Sequence, residues 1–444
     1  MCVQCFVGSY SWADCTTIQP IANWYNEEMR LLESAKNVFF VGVKGVAMSG
    51  LARILSQMGK SVGGSDTNED QITDDFLKDS QIAVVSLTDN VPTGVDLVVY
   101  SAAHGGVESK QVKEAQGKGI VVISQAAVIA ELIQQFPISI AICGCHGKTT
   151  TSSQTAFILH TLGAKTSWLV GAPYFSGHTR NDAAPTKFPG GHFEKDSQIF
   201  VFEADEYGVC PPFDKTPKLL LYHPTHIVCT NIDFDHPDIY RDLEHVKATF
   251  DEFFTHAKHV YQSESKSLEG NLVGVGDCLK DLGYEETKIH GALQKFVGVA
   301  RRLEYHGEHK GIYFYDDYAH HPAEIRVTID ELRKRHSMQR LVVLFQSHTY
   351  SRTQALKNEF VEALSHADLV LIDEIFPSAR EKEGTMPIHA KDLEVLAQSR
   401  GYSHLKGFES RDKLVEYAKS VVRTGDVVTT VGAGDIYKAI PLIK

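Results

Sequence analysis

The segment Gly144-Cys145-His146-Gly147-Lys148-Thr149-Thr150 carries the clearest chemistry in the chain. It follows an apolar run, Ile138-Ser139-Ile140-Ala141-Ile142-Cys143, that reads as a strand, and it precedes a helical stretch. Its glycines let backbone N–H groups close on phosphate oxygens, and the N-terminus of the following helix adds partial positive charge. Lys148 is placed to reach the β- and γ-phosphates of a nucleoside triphosphate, and Thr149 to put its hydroxyl on Mg²⁺. The loop is shorter than the general GxxxxGK[ST] pattern, and a glycine turn without a ligand is the plain alternative.

Carboxylates gather after two other strand-like runs. Glu203-Ala204-Asp205-Glu206 closes one and Asp235-His236 follows another. In a parallel sheet these ends share an edge with the phosphate loop. A carboxylate and an imidazole converging there could bind a divalent ion; magnesium prefers oxygen, so Glu203 is the better ligand and His236 the less usual one. A solvated acidic loop is the bland reading.

Gly42-Val43-Lys44-Gly45-Val46-Ala47-Met48-Ser49-Gly50, with Asp66 about 20 residues on, is similar to a dinucleotide turn. Lys44 and Ala47 stand where glycines are expected, so the segment is weak as an NAD signature. Lys44 could instead contact a diphosphate, or the segment could be only a tight strand–helix turn. Further on, Asp316-Asp317-Tyr318-Ala319-His320-His321-Pro322 follows a strand. Adjacent histidines at a helix start do not face one ion together, so a nucleotide or substrate contact is preferred to zinc. In His348-Thr349-Tyr350-Ser351-Arg352-Thr353, Arg352 could clamp a carboxylate or phosphate, or simply lie on the surface.

Alternating strand-like and helical stretches must position these residues, the pattern of parallel α/β sheets. Three sets separate. The first uses Asn37–Val43, Ser61–Asp66, Ile82–Leu87, Asp96–Ala102 and Ile120–Ser124 as strands, with a helix from Val46 to Met58. The second begins at Pro137 and uses Ile138–Cys143, Gln198–Glu203 and His226–Asn231. Gly, Pro and polar residues make Gly171–Asp196 read as a long loop. The third starts near Arg301 and uses Ile312–Tyr315, Leu341–Phe345, Leu369–Ile372 and Val427–Val431. The expected domains are therefore an extension over 1–36, then 37–136, 137–300 and 301–444.

Length and composition agree. A chain of 444 residues suggests roughly three domains. At 43% hydrophobic and 23% charged residues it is neither disordered nor a disulfide-stapled miniprotein. A formal charge of −12 argues against a general nucleic-acid binder. No apolar run approaches the ~20 residues that span a bilayer, and the first residues lack a signal-peptide pattern. Eight cysteines in this context read as thiols of a reducing, cytoplasmic protein. Cys2, Cys5 and Cys15 lack a fourth ligand nearby and make a weak zinc site.

Taken together, the motifs resemble the Mur ligases, ATP-dependent amide-bond-forming enzymes of peptidoglycan synthesis and thus of cell-wall biogenesis, cell shape and division. The segments that carry the resemblance are FVGVKGVAMSG (40–50), VVYSAA (98–103), GCHGKTTTSS (144–153), FEADE (202–206), TNIDFDHPDIY (230–240), FVGVARR (296–302), DDYAHHPAEI (316–325), FQSHTYSRT (345–353) and VGAGDIYKAI (431–440). The resemblance implies an N-terminal Rossmann-like UDP-binding domain, a central P-loop ATPase domain on a parallel sheet, and a C-terminal Rossmann-like domain that closes over the site. It implies ATP held by Gly144 to Thr150, with Arg302, Asp317 and His321 around the nucleotide and the closed interface. Thr149, Glu203 and His236 would hold Mg²⁺, and Lys148, Glu203, His236, His348 and Arg352 would carry the reaction. Gly45, Met48, Ser49, Asp66 and Ser101 would meet the UDP substrate.

The implied partners are UDP-N-acetylmuramate and an amino acid, L-alanine favoured, in a monomer or homodimer with no nucleic acid and no membrane insertion. Phe250, where other branches carry a carbamylated lysine, fits the alanine-adding branch. Asp205-Glu206-Tyr207, Phe213-Asp214-Lys215 and Tyr222-His223-Pro224 look instead like a ligase that recycles murein tripeptide. Only about 65 residues separate His236 from Arg302, fewer than the family normally has, and Leu268–Leu272 is a poor remnant of its adenine-proximal segment. That shortening motivates a third reading, a catalytically impaired nucleotide-binding relative, and a P-loop kinase is a fourth.

Overall fold

A computed structural model describes residues 31–444 except 180–183, 237, 263–267 and 377–387. Cys2, Cys5 and Cys15, with the rest of the N-terminal extension up to residue 30, lie outside the described residues.

Runs rich in Val, Ile and Phe become strands buried on both faces, as parallel sheets require. The first sheet comprises β1 (Asn37–Val41), β2 (Ser61–Asp66), β3 (Ala83–Ser86), β4 (Leu97–Tyr100) and β5 (Val121–Ser124), in the order β3-β2-β1-β4-β5, all parallel. The central region holds β6 (Ile138–Cys143), β7 (Thr166–Gly177), β8 (Thr186–His192), β9 (Ile199–Glu203), a ribbon of β10 (Gly208–Cys210) and β11 (Asp214–Pro217), then β12 (His226–Cys229), β13 (His259–Gln262) and β14 (Phe296–Val299). Its seven-stranded sheet runs β13-β12-β6-β9-β7-β14, with β8 paired to β7. The third sheet joins β15 (Glu304–His309), β16 (Ile312–Asp317), β17 (Leu341–Phe345), β18 (Leu369–Ile372), β19 (Leu405–Gly407) and β20 (Val427–Val431), in the order β15-β16-β20-β17-β18-β19. Among the described strands, β8, β14, β15 and the ribbon pair antiparallel and the other pairings are parallel. The chain is α/β, as the alternation of elements predicts.

Gly171–Asp196 is not a long loop. Most of it belongs to the hairpin β7/β8, with Phe175 opposite Phe188 and their rings stacked at 5.3 Å. Glycines that suggest a loop are here close-approach positions within the hairpin. A Cβ on Gly190 would lie 1.8 Å from the Ala172 carbonyl oxygen, and one on Gly191 would lie 2.0 Å from the Gly50 carbonyl oxygen. Gly191 thereby lets β8 touch the backbone of the helix Val46–Gln57, which belongs to the first sheet.

That contact is part of a larger continuity. One apolar cluster contains Phe40 and Leu55 of the first sheet and its helix together with Phe200, Phe202 and Phe250 of the central region. The C-terminal sheet has separate apolar layers, one around Ile329, Phe345 and Phe360 and one around Phe314, Leu344 and Leu414. Its connection to the rest passes through Arg301 and Leu303, both at positive φ (58° and 45°). The Arg301 guanidinium is buried and bonds Asp316 Oδ2 at 3.0 Å and the Gly432 and Gly434 carbonyls at 2.6 and 3.0 Å.

Gly191→Ala is expected to force β8 away from the helix Val46–Gln57 and to destabilise the protein by about 1–3 kcal/mol, the range for overpacked sites. Chemical denaturation of the variant beside the native chain measures it; an unchanged midpoint would contradict the close approach.

Candidate active site

The phosphate loop joins β6 to the helix Lys148–Thr161, with Gly147 at φ +82° as its N-cap. The end of β12 moulds it. Asn231 accepts from the His146 N–H at 3.0 Å and donates to the His146 carbonyl at 2.7 Å, while Thr230 Oγ1 donates to the same carbonyl at 2.7 Å. The Cys145 thiol donates to the Asp233 carbonyl at 3.0 Å, and burial pushes its pKa up to about 12. Cys145 is therefore a structural thiol. On the other side stands Asn271, in the helix Leu268–Asp281: it is 4% exposed, its Oδ1 has no hydrogen-bond partner, and a Cβ on Gly147 would lie 2.8 Å from its Nδ2. The segment read as a poor remnant thus supplies a polar wall of the loop. A lone asparagine at a helix start gives sequence reasoning almost no signal for this.

Lys148 is folded back onto the protein. Its ammonium donates to the Gly144 carbonyl at 2.6 Å and to the two Glu206 carboxylate oxygens at 3.1 and 2.8 Å, with the side chain 15% exposed. Burial would lower its pKa, but Glu206 and Asp205 more than offset this and hold it well above the usual lysine value. Thr149 Oγ1 lies 3.2 Å from Glu203 Oε2, and Ser152 donates to Glu203 Oε1 at 2.9 Å. Burial raises the Glu203 pKa, against the Gly171 N–H and Lys148.

Thr149 and Glu203 lie together, and the neighbours of His236 are Glu206 and Asp235, 3.5 Å and 3.7 Å from its Nε2. Glu206, Asp235 and His236 offer ligand atoms within 4.8 Å of one another. Both sets offer the oxygen donors a hard divalent cation takes, so the residues present fit such an ion.

The C-terminal region faces this edge. His146 Nδ1 lies 3.5 Å from Glu324 Oε1, and Arg352 Nη2 lies 3.9 Å from Asp235 Oδ1. Burial would lower the His146 pKa, but Glu324 raises it above the ordinary value. His320 is half-buried, and its Nδ1 sits 3.2 Å from the Tyr318 carbonyl, which can only accept, so that nitrogen carries the proton. Burial, with Arg352 and Arg302 alongside and Glu324 opposing, pushes His320 down to about 4. His321 serves as the N-cap of the helix Pro322–Arg335, accepting from the Ala323 N–H. Asp317 is pushed up to about 6 by burial, with Arg302 opposing. His348 stacks on Phe376 at 5.8 Å. Glu206, Asp235, His320, Glu324, Asn231 and Asn271 are among the members of this site that are not among the predicted site residues.

The first-sheet residues form a separate crevice. Asp66 Oδ2 accepts from the Lys44 N–H at 2.7 Å, and Asp66 Oδ1 lies 3.4 Å from His104 Nε2. Gly45 caps the helix Val46–Gln57, and Ser101 accepts from the Ala103 N–H. Met48 is a correction: its side chain is 3% exposed within the apolar cluster, leaving only backbone for a ligand. The Ser49 hydroxyl is likewise used internally, on the Val46 carbonyl.

Comparison with known proteins adds lineage to this geometry. Residues 37–137 match the Mur ligase family catalytic domain, 142–266 the Mur ligase middle domain and 301–434 the Mur ligase glutamate ligase domain. The UDP-N-acetylmuramate–L-alanine ligase of Caldanaerobacter subterraneus subsp. tengcongensis is 32% identical, the match covering 92% of this chain and 97% of that protein. The enzyme of the same name from Trichlorobacter lovleyi is 31% identical over 91% and 97%. Among solved structures, UDP-N-acetylmuramate-alanine ligase from Thermotoga maritima superposes with a TM-score of 0.72 at 20% identity, covering 92% of this chain and 98% of that one. A murein peptide ligase from Psychrobacter arcticus gives 0.67 at 20% identity with the same coverage.

A histidine raised in the native state stabilises fully below its unfolded pKa and loses that contribution as pH climbs through the native value. Glu324→Gln is therefore expected to lower the melting temperature more at about pH 6 than at about pH 8.5, since the His146 charge it pairs with is lost as pH climbs through the raised native value. Thermal melts at both values decide it; an equal loss would contradict the ion pair.

Proposed function

This chain belongs to the Mur ligase family, and we propose that it joins L-alanine to the carboxylate of UDP-N-acetylmuramate with cleavage of ATP to ADP and phosphate. The observation that carries the reading is the convergence of Lys148, Glu203 and the Glu206–Asp235–His236 group with Arg352 and Glu324 from the separately cored C-terminal region. Named relatives near 30% identity over nine-tenths of the chain favour L-alanine over a tripeptide.

The chemistry follows from what a carboxylate lacks. It is a poor electrophile, so one of its oxygens attacks the γ-phosphorus of ATP, ADP leaves, and an acyl phosphate forms. The amine of the amino acid then attacks the carbonyl carbon, and phosphate departs from the tetrahedral intermediate as the amide forms. Anionic oxygens crowd together at each stage. Loop N–H groups and Lys148, drawn from Glu206 toward the incoming phosphates, offset that repulsion. Mg²⁺, which Thr149 with Glu203 and Glu206 with Asp235 and His236 would hold, supplies further charge neutralisation at the phosphate oxygens. Arg352, beside Asp235, is placed to receive a carboxylate, and His320, neutral with Nδ1 committed to Tyr318, keeps Nε2 as an acceptor. Acyl phosphates hydrolyse readily, so a C-terminal region seated over the loop also excludes water.

Phosphate release in the presence of ATP, Mg²⁺ and UDP-N-acetylmuramate is expected to depend on L-alanine and to yield the amide by mass spectrometry. Dependence on murein tripeptide alone would redirect the substrate assignment, release without an amino acid would indicate a kinase or hydrolase, and tight ATP binding without release would indicate a scaffold. Lys148→Ala is expected to cut that turnover by roughly 100-fold or more; Glu206 loses its buried partner, so the variant is also expected to melt lower than the native chain while still folding, as circular dichroism checks. Native turnover in the variant would refute the loop's role.

A further inference from the structure

Lys44 occupies a turn where nucleotide-binding loops carry glycine; its side chain borders a cavity and is held by protein groups. The ammonium donates to the Glu69 carbonyl at 2.6 Å and lies 3.3 Å from Asp74 Oδ1, with the side chain 10% exposed. A cation so buried is costly unless paired, and both partners come from one segment, residues 67–74, between β2 and the helix Asp74–Asp79. The grip continues through the backbone: Thr73 Oγ1 donates to the Lys44 carbonyl at 2.6 Å, and the Gln71 N–H donates to Asp74 Oδ2 at 2.9 Å.

The same segment is held from the opposite side of the molecule. Lys438, in the C-terminal region, donates to the Asp70 carbonyl at 3.0 Å. Between the segment and the sheet lies a cavity of about 390 Å³, with Thr67, Asn68 and Asp70 on its rim and Leu77, Ile82 and Val84 among its apolar lining. That volume suits a small molecule. It opens beyond Asp66, at the strand end where a nucleotide laid with its phosphates on the helix Val46–Gln57 would place its base.

Resting on the ligase reading above, we propose that Lys44 is a positioning residue: it clamps residues 67–74 as the wall of the pocket for the uridine end of the UDP substrate, and Lys438 clamps the same wall, so that filling the pocket and seating the C-terminal region favour one another. Lys44 acts through the segment and not on the diphosphate. Each lysine restricts the same eight residues, so a wall released by one loss has less to lose from the second.

Calorimetric titration of uridine, UMP and UDP into the native chain, Lys44→Met, Lys438→Met and the double variant tests this. Lys44→Met is expected to weaken all three compounds alike, by roughly tenfold, the scale of one charge-assisted hydrogen bond. Lys438→Met is expected to weaken all three to a smaller extent, and the double variant to lose less than the product of the two single losses. Loss confined to UDP would make Lys44 a phosphate ligand and overturn the proposal, as would unchanged binding or strictly multiplicative losses. Lys438 lies at a half-exposed position, so its variant keeps the test standing if Lys44→Met fails to fold. A native chain that binds none of the three compounds, and releases no phosphate with UDP-N-acetylmuramate, would count against the ligase reading itself; native binding with Lys44→Met binding equally would remove only the role of Lys44.

Discussion

A buried ammonium must be paired, and the pairing of Lys148 with Glu206 sets the arrangement of the centre. The lysine sits on the Gly144 carbonyl and on both oxygens of Glu206. Glu206 in turn stands beside His236, and its backbone carbonyl accepts from the Tyr240 hydroxyl. Asp205 one residue earlier is held by Lys218 at 2.7 Å. The result is an edge where positive and negative groups are closely matched before any substrate arrives. A triphosphate brings a large excess of negative charge, and the groups that can answer it are the loop N–H donors and this lysine.

The division of the apolar core sets where the molecule is tightly joined and where it is not. The first and central sheets share one apolar cluster. The C-terminal sheet keeps its own layers and meets the rest through polar contacts: His146 with Glu324, Arg352 with Asp235, Lys438 with the Asp70 carbonyl, and Tyr174 Oη with Glu304 at 2.6 Å. Polar contacts can be exchanged for water at modest free-energy cost, whereas a shared apolar core cannot. The connection at Arg301 and Leu303, both at positive φ and with the Arg301 guanidinium locked into the C-terminal region, is the place where a change of backbone angle would reorient that region.

Much of this was legible in the residues. Strands such as Leu341–Phe345 and Leu369–Ile372 are short unbroken apolar runs, and the glycine loop declares itself by its glycines, Lys148 and the strand before it. The hairpin β7/β8 was not legible, because Pro189, Gly190 and Gly191 punctuate a strand exactly as they would a loop; only contact with Ala172 and Gly50 shows that they are there for close approach. The contacts of His236 with Glu206 and Asp235 are equally hidden, since a motif gives an order along the chain and not which side chains meet. For Lys44 the residues leave a diphosphate contact and a plain tight turn both open, and its partners, the Glu69 carbonyl and Asp74, carry no sequence mark.

The most direct measurement follows an oxygen atom. If the carboxylate of UDP-N-acetylmuramate is phosphorylated and then attacked by the amine, one carboxylate oxygen must leave with the phosphate. With substrate labelled by oxygen-18 in that carboxylate, the inorganic phosphate formed alongside the L-alanine amide is expected to carry one labelled oxygen. Unlabelled phosphate accompanying amide formation would contradict an acyl phosphate at this site.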